Sequence, residues 1–419
     1  MRRSKKPPYL LSSSSPVDPH AAIGQDAASD LLCEMYDVIV CGAGPAGSVA
    51  ATVLARGGAR VLMLDRARFP RDKLCGDTIN PGALAVLRRL GLAEAFEAAA
   101  LPVDGMIVTG ERGVRVRCAY GPGLRGLAIA RRDLDAALAR GAVRAGVRFE
   151  DGVLVRGPLM ETRGETRGDG GGEARVRGVV IAGRDGRDLR VPAPLVIAAD
   201  GRRSRLALPL GLVRHPASPR RWAIGGYFEG VAGVTSFGEM HVRRGRYIGV
   251  APVPSGLTNV CVVVPGGERF MPRTLLERTV AADPQLRERF AGARLASAPA
   301  VIGPLAVDAD AAGVPGLLLA GDAAGFIDPM TGDGLRFAVR GGELAAEAAL
   351  AAFAGQSAAP HVRLGRARRL EFSAKWRFNR ALRRLVDRAV TVELAGAVAA
   401  AAPWMLRRTI GFAGDVPRS

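Results

Sequence analysis

The chain has 419 residues, of which 48% are hydrophobic and 24% charged, a globular composition that excludes a disordered or fibrous protein. Lys and Arg number 59 against 40 Asp and Glu, a formal net charge of +19, which favours acidic partners: nucleic acid, an anionic membrane or a phosphorylated substrate. The excess is arginine dispersed along the whole chain with no recognisable binding motif, so a solvated basic surface and no specific nucleic-acid partner are expected.

Residues 1–34 are basic, then Ser- and Pro-rich, without the apolar core of a signal peptide, and read as a disordered leader with Met35 as an alternative start. Asp37–Cys41 is a short apolar run ending at a glycine turn, a buried parallel strand. An alanine-rich helix follows over Pro45–Arg56, closed by Gly57 and Gly58, and then a second strand over Arg60–Leu64. Together they form a βαβ unit. Helices are expected over Ala83–Ala100 and Arg132–Ala145, with a strand around Val147–Phe149. Arg156–Arg187 reads as a hairpin with its tip near Gly168–Gly172, and Leu195–Ala199 as another buried strand.

From about Arg202 to Pro299 the pattern is short, alternating and punctuated by turns, with Arg246–Val250 and Asn259–Val264 as strands. This predicts an antiparallel sheet inserted into an α/β domain. Gly316–Ala320 returns to a buried strand. After it come a helix over Leu335–Phe353, a basic stretch from His361 to Ala389 and an apolar tail, Ala389–Leu406, interrupted by Glu393 and Pro403. No stretch reaches the roughly 18 to 20 unbroken apolar residues of a membrane span. Five widely spaced cysteines without a CxxC pair and four scattered histidines suggest neither disulfides nor a metal site, and fit a reduced, cytoplasmic protein.

The strongest chemical signal is Gly42-Ala43-Gly44-Pro45-Ala46-Gly47, a GxGxxG that leaves a strand and opens a helix. Its glycines permit a tight turn, approach of a pyrophosphate, and close helix–strand packing. The helix N-terminus offers free N–H groups and a partial positive charge to the phosphates. Asp65, with Arg66 beside it, ends the second strand where a carboxylate accepts ribose hydroxyls. That unit could hold NAD or FAD, and two later segments decide for FAD. Asp200-Gly201 follows one buried strand. Gly321-Asp322 follows another, with Pro329, Gly332, Gly334 and Leu335 beyond. Asp322 can meet a ribityl hydroxyl, and the helix starting near Gly332–Leu335 would aim its positive end at the flavin N1–C2=O edge.

At these residues the chain resembles the FAD-dependent oxidoreductase superfamily of aromatic hydroxylases, flavin halogenases and geranylgeranyl reductases, and the geranylgeranyl reductase-like family most. The resemblance implies that Gly42, Gly44, Gly47 and Asp65 hold the ADP moiety and that Arg131, in an R-x-x-L-D pattern, reaches the pyrophosphate. Asp322 would take the ribityl chain, with Pro329, Gly332 and Gly334 beside the ring. Lys73, Cys75, Gly76 and Asp77 match a K-x-C-G segment whose cysteine approaches the isoalloxazine, which makes Lys73 and Cys75 the catalytic candidates. Asp200-Gly201 is either structural or a contact for a nicotinamide donor. The reductases' Y-x-W-x-F-P run corresponds to Arg246–Pro252, which lacks the tryptophan, and the halogenases' W-x-W-x-I-P run is also missing.

The fold expected is α/β: a Rossmann-like FAD-binding domain (35–100, 126–203 and 301–345) with an inserted antiparallel β-sheet substrate domain (101–125 and 204–300) and C-terminal helices (346–419). The function expected is oxidation–reduction of a lipophilic small molecule, with reduction of a C=C bond placed before hydroxylation and halogenation. No second GxGxxG follows a strand, so NAD(P)H docking transiently or a reduced carrier protein would donate electrons. The basic stretch Arg363–Arg388 reads either as a helix packing its apolar side while its arginines face water, or as a peripheral membrane contact.

Overall fold

The computed structural model describes residues 34–161, 174–183, 186–218, 220–266, 271–386 and 412. The leader, the hairpin tip at Gly168–Gly172 and the apolar segment Ala389–Leu406 lie outside these residues. The fold is mixed α/β, built on a six-stranded sheet ordered Gly313–Val314, Leu317–Leu319, Leu195–Ala198, Val38–Cys41, Val61–Asp65 and Arg148–Asp151. All neighbours are parallel except the Gly313–Val314 edge.

The four central strands are almost wholly apolar because both faces are covered, whereas the edge strand Arg148–Asp151 carries three charged residues and is only half-buried. Successive side chains point to opposite faces. Val38 and Val40 join Val61 and Ile197 on the side covered by helices, whereas Ile39 and Cys41 join Leu62 and Val196 on the other. That second side packs against a three-stranded antiparallel sheet formed by Val155–Met160, Val176–Ala182 and Asp188–Pro192.

Helix α1 (Pro45–Arg56) leaves the first strand through Gly42, and α2 spans Pro81–Arg89. The expected helix over Ala83–Ala100 stops at Arg89, because Gly91 takes a left-handed φ of +61° and only a short 3-10 turn, Glu97–Ala99, follows. Helices α3 (Arg131–Arg144), α4 (Pro272–Ala282), α5 (Gly334–Phe353) and α6 (Pro360–Val386) complete the helical set.

A second, eight-stranded sheet contains Arg221–Glu229, Phe237–Arg243, Arg246–Val253 and Leu257–Pro265. It is not wholly antiparallel. Gly105–Thr109, from an earlier part of the chain, pairs in parallel with Phe237–Arg243 and carries Arg115–Ala119 beside it. A parallel pair needs a long crossover, and here the intervening chain runs through the first sheet.

Along α6, Arg363, Arg366, Arg369, Arg377 and Arg380 face water as one sequence reading expects, and that division is corrected at Arg368. Leu364 and Phe372 are buried, but so are Arg368, Lys375 and Asn379 on the same stripe. The Arg368 guanidinium donates to the Ala324 carbonyl at 2.8 Å, and Lys375 and Asn379 reach Asp333. Among the described residues, no helix is long and apolar enough to cross a membrane.

Helices α1 and α5 cross so closely that a β-carbon at Gly342 would stand 2.2 Å from the Ala46 carbonyl oxygen. Gly342→Val should therefore destabilise the fold by about 3 kcal/mol or more, since a backbone atom cannot yield as a side chain does. Urea unfolding of the variant beside the parent measures this.

Candidate functional site

A cavity of about 610 Å³ lies between the two large sheets, within the range of cofactor and substrate sites. Its wall on the parallel-sheet side is made of segments that end strands or begin helices. Gly44, Pro45 and Ala46 open α1, Gly201 follows the Leu195–Ala198 strand, and Gly321 and Asp322 follow Leu317–Leu319. Pro329, Gly332, Gly334 and Leu335 lie at the start of α5, and Lys73, Cys75, Gly76 and Arg131 complete this side. The opposite wall is the eight-stranded sheet, with Met106, Val108, Val116, Met240, Val242 and Val263 facing inward.

The three motif glycines have different duties. Gly42 has φ +101°, and a β-carbon there would lie 2.3 Å from the Ala199 carbonyl oxygen; one on Gly47 would lie 1.7 Å from the Gly42 oxygen. Both glycines let backbones touch. A β-carbon on Gly44 would meet only the Arg71 Nη2, at 3.6 Å, so this position is open toward the cavity. The first N–H groups of α1 have no intrahelical partner. Asp65 receives the Ala43 N–H at 2.8 Å and the Ala67 N–H at 2.9 Å, which locks its carboxylate beside the turn. Arg66 is exposed. Gly42, Ala43, Gly47 and Asp65 thus shape the motif, and neither they nor Arg66 line the cavity.

Positive charge at the turn is organised by Asp135, which is fully buried. Arg131 grips it with two bonds of 2.9 Å, and Arg71 Nη1 lies 3.0 Å away. Arg71 also stands 3.8 Å from Asp65. Neither Arg71 nor Asp135 follows from the GxGxxG pattern; the only sequence signal is the i, i+4 spacing of Arg131 and Asp135 on one helix face. Asp322 lies on the cavity wall with Arg202 Nε 3.9 Å from its carboxylate.

Lys73 and Cys75 both line the cavity. Burial pulls the Lys73 ammonium down to about 8, helped by Arg131 and opposed by Asp322. Burial in low dielectric disfavours a charged amine, so this group exchanges its proton near neutrality.

Asp77 is placed differently from expectation, since it does not line the cavity, and neither does Asp200. Asp77 has φ +52° and is turned behind the wall. Its carboxylate accepts the Tyr227 hydroxyl at 2.7 Å, the Asn259 amide at 2.6 Å and the Arg131 N–H at 3.1 Å. Asn259 also donates to the Cys75 carbonyl at 3.0 Å, so Asp77 fastens the Lys73–Gly76 segment to the eight-stranded sheet. Asp200 accepts the Arg205 N–H at 2.8 Å and shapes its own turn.

These residues fit FAD. The open position at Gly44 and the unpaired N–H groups of α1 suit a pyrophosphate, with Arg71 and Arg131 supplying positive charge. Asp322 supplies a hydroxyl acceptor, and the start of α5 supplies a positive helix end for a ring edge.

Gly44→Val should leave the fold intact but abolish flavin loading, because its side chain enters only the cavity; bound flavin absorbance and a thermal melt measure both. Burial pushes the Asp77 carboxyl up to about 7 despite its three donors, whereas an aspartate in the unfolded chain titrates near ~3.9. The folded protein therefore holds this proton more tightly. Its contribution is complete below the unfolded value and is lost as pH climbs through about 7. Asp77→Asn should remove that part of the pH slope of stability, read from denaturant midpoints between pH 4 and 8.

The model of a family described as "FAD binding domain" matches residues 35–364. The menaquinone reductase of Mycolicibacterium smegmatis is 31% identical over 324 residues, covering 74% of this chain and 75% of that protein. The digeranylgeranylglycerophospholipid reductase of Methanosarcina acetivorans is 27% identical over 334 residues, covering 75% of each. Among solved structures, a triple mutant of a flavin-dependent brominase superposes with a TM-score of 0.77 at 21% identity, over 91% of this chain and 96% of its own. The chain belongs to the FAD-binding-domain family and is an enzyme of the FAD-dependent oxidoreductase superfamily.

Proposed function

We propose that this enzyme reduces a carbon–carbon double bond in a lipophilic, polyprenyl-type substrate. The observation that carries the reading is the single cavity that runs from Asp322, Lys73 and the start of α5 to an apolar sheet wall. Such a wall binds hydrocarbon by removing it from water and offers few polar groups to a hydrophilic substrate. The two reductase relatives are named for molecules that carry polyprenyl chains, which supports the same substrate class.

Bound FAD supplies the two-electron transfer that such a reduction needs. The chain's own residues do the rest. The apolar wall orients the hydrocarbon and excludes water. Lys73, poised near neutrality, holds or releases a proton at the cavity surface beside Cys75. Reducing equivalents come from NAD(P)H docking transiently or from a reduced carrier protein. The lipophilic substrate would be the chief partner, and no specific nucleic acid is implied.

A second reading, oxygen-dependent hydroxylation or halogenation, is favoured by one feature: the Lys73 amine lies on the same wall, and the flavin halogenases that the chain resembles carry the activated halogen on a lysine. Mass spectrometry separates the two. The FAD-loaded, chemically reduced enzyme is incubated with a geranylgeranyl lipid without oxygen, and with oxygen and bromide. A product two hydrogens heavier without oxygen is expected. Product formed only with oxygen, carrying an added oxygen or bromine atom, would replace the reductase reading.

A further inference from the structure

Helix α6 enters the site from the end of the described chain. Its Phe378 lines the cavity, and three residues earlier Lys375 is buried with its Nζ 2.7 Å from Asp333 Oδ1. The two side chains are 6% and 1% exposed. Asp333 immediately precedes α5, whose first residues, Gly334 and Leu335, face the cavity together with Thr331 and Gly332. Its carboxylate also accepts the Asn80 amide at 3.2 Å and, on the other oxygen, the Asn379 amide at 3.4 Å. Three donors from two separate parts of the chain, Asn80 and α6, thus converge on one carboxylate at the start of α5.

The Asp333 charge is felt inside the cavity. The Tyr120 phenol on the cavity wall is pushed up to about 12 by burial and, next, by Asp333. A buried carboxylate at this place opposes the positive end of α5, and its partner cation decides the net field.

We propose that Lys375 is a positioning residue for the flavin. By holding and neutralising Asp333, it keeps the first turn of α5 net positive toward the ring edge that gains negative charge on reduction. This rests on FAD binding with that edge against α5. Lys375 favours reduced over oxidised flavin without itself lining the cavity, so α6 tunes a site built from the opposite end of the sequence.

The test compares the FAD-loaded parent with Lys375→Met, Lys375→Arg and Asp333→Asn, reading flavin midpoint potential by dye equilibration, flavin affinity, and a thermal melt. Lys375→Met should lower the preference for reduced flavin roughly tenfold, a drop of about 30 mV for a two-electron couple. Lys375→Arg should restore the parent value, and Asp333→Asn should shift the potential upward. The upward shift alone carries the test if Lys375→Met does not load flavin. An unchanged potential in Asp333→Asn, or equal shifts in Lys375→Met and Lys375→Arg, would overturn the proposal. A parent protein that binds no flavin would instead overturn the functional reading beneath it.

Discussion

Helix α1 stands so close to its neighbours that their backbones touch. At Gly42 the turn lies against the Ala199 carbonyl, at Gly47 the helix lies against the turn, and at Gly342 α5 lies against Ala46. Helix packing at ordinary distances would leave 8–10 Å between axes, filled with side chains. Here the absence of side chains draws the strand end, α1 and α5 into one tight cluster. The N-terminal ends of both helices then open on the same cavity, with Arg71 and Arg131 near the first and Asp333 at the second.

Buried carboxylates do the arranging. Asp135 gathers Arg71 and Arg131 beside the glycine turn, Asp333 gathers Lys375 and two asparagines beneath α5, and Asp77 joins the Lys73–Gly76 segment to Tyr227 and Asn259. A buried ion pair adds little net stability against an apolar replacement, but removing one partner leaves an uncompensated charge and costs roughly 3–5 kcal/mol. Such pairs fix geometry more than they deepen the fold. That property suits a site in which a cationic cluster and two helix ends must hold their places without a ligand to organise them.

What the sequence revealed was contiguous. The turn at Gly42–Gly47, Asp65 at the second strand's end, Gly321-Asp322 and the run from Pro329 to Gly334 each obey short spacings dictated by backbone geometry. Arg71 and Asp135 meet across 64 residues, and Asn80, Asp333 and Lys375 across nearly 300, so no local pattern announces them. Asp77 misled because it directly follows Cys75 and Gly76; only its left-handed backbone, at φ +52°, turns it behind the wall. In α6, helical periodicity places Arg368 and Lys375 on the stripe of Leu364 and Phe372. Reading the arginines as solvent-facing sent Arg368 outward, whereas its partner, the Ala324 carbonyl, lies inside.

The two walls of the cavity are joined by hydrogen bonds, and this bears on how one scaffold serves different chemistries. Tyr247 of the Arg246–Val253 strand donates to Asp328 at 2.5 Å, and Asp328 also accepts the Met330 N–H at 3.1 Å and lies 3.3 Å from Arg221. With Asp77, it rivets the eight-stranded sheet to the segments that surround the flavin site. Between the rivets, Gly249 lies on the cavity wall with room around it. At Gly249 a β-carbon would find nothing nearer than the Cys261 carbonyl oxygen at 3.8 Å. Side chains there set the room available to a substrate without disturbing the cofactor side. A fold shared with a brominase at 21% identity and a TM-score of 0.77 is therefore compatible with a different reaction. The glycine turn that identifies the family does not fix the reaction, because a shared fold does not imply a shared function.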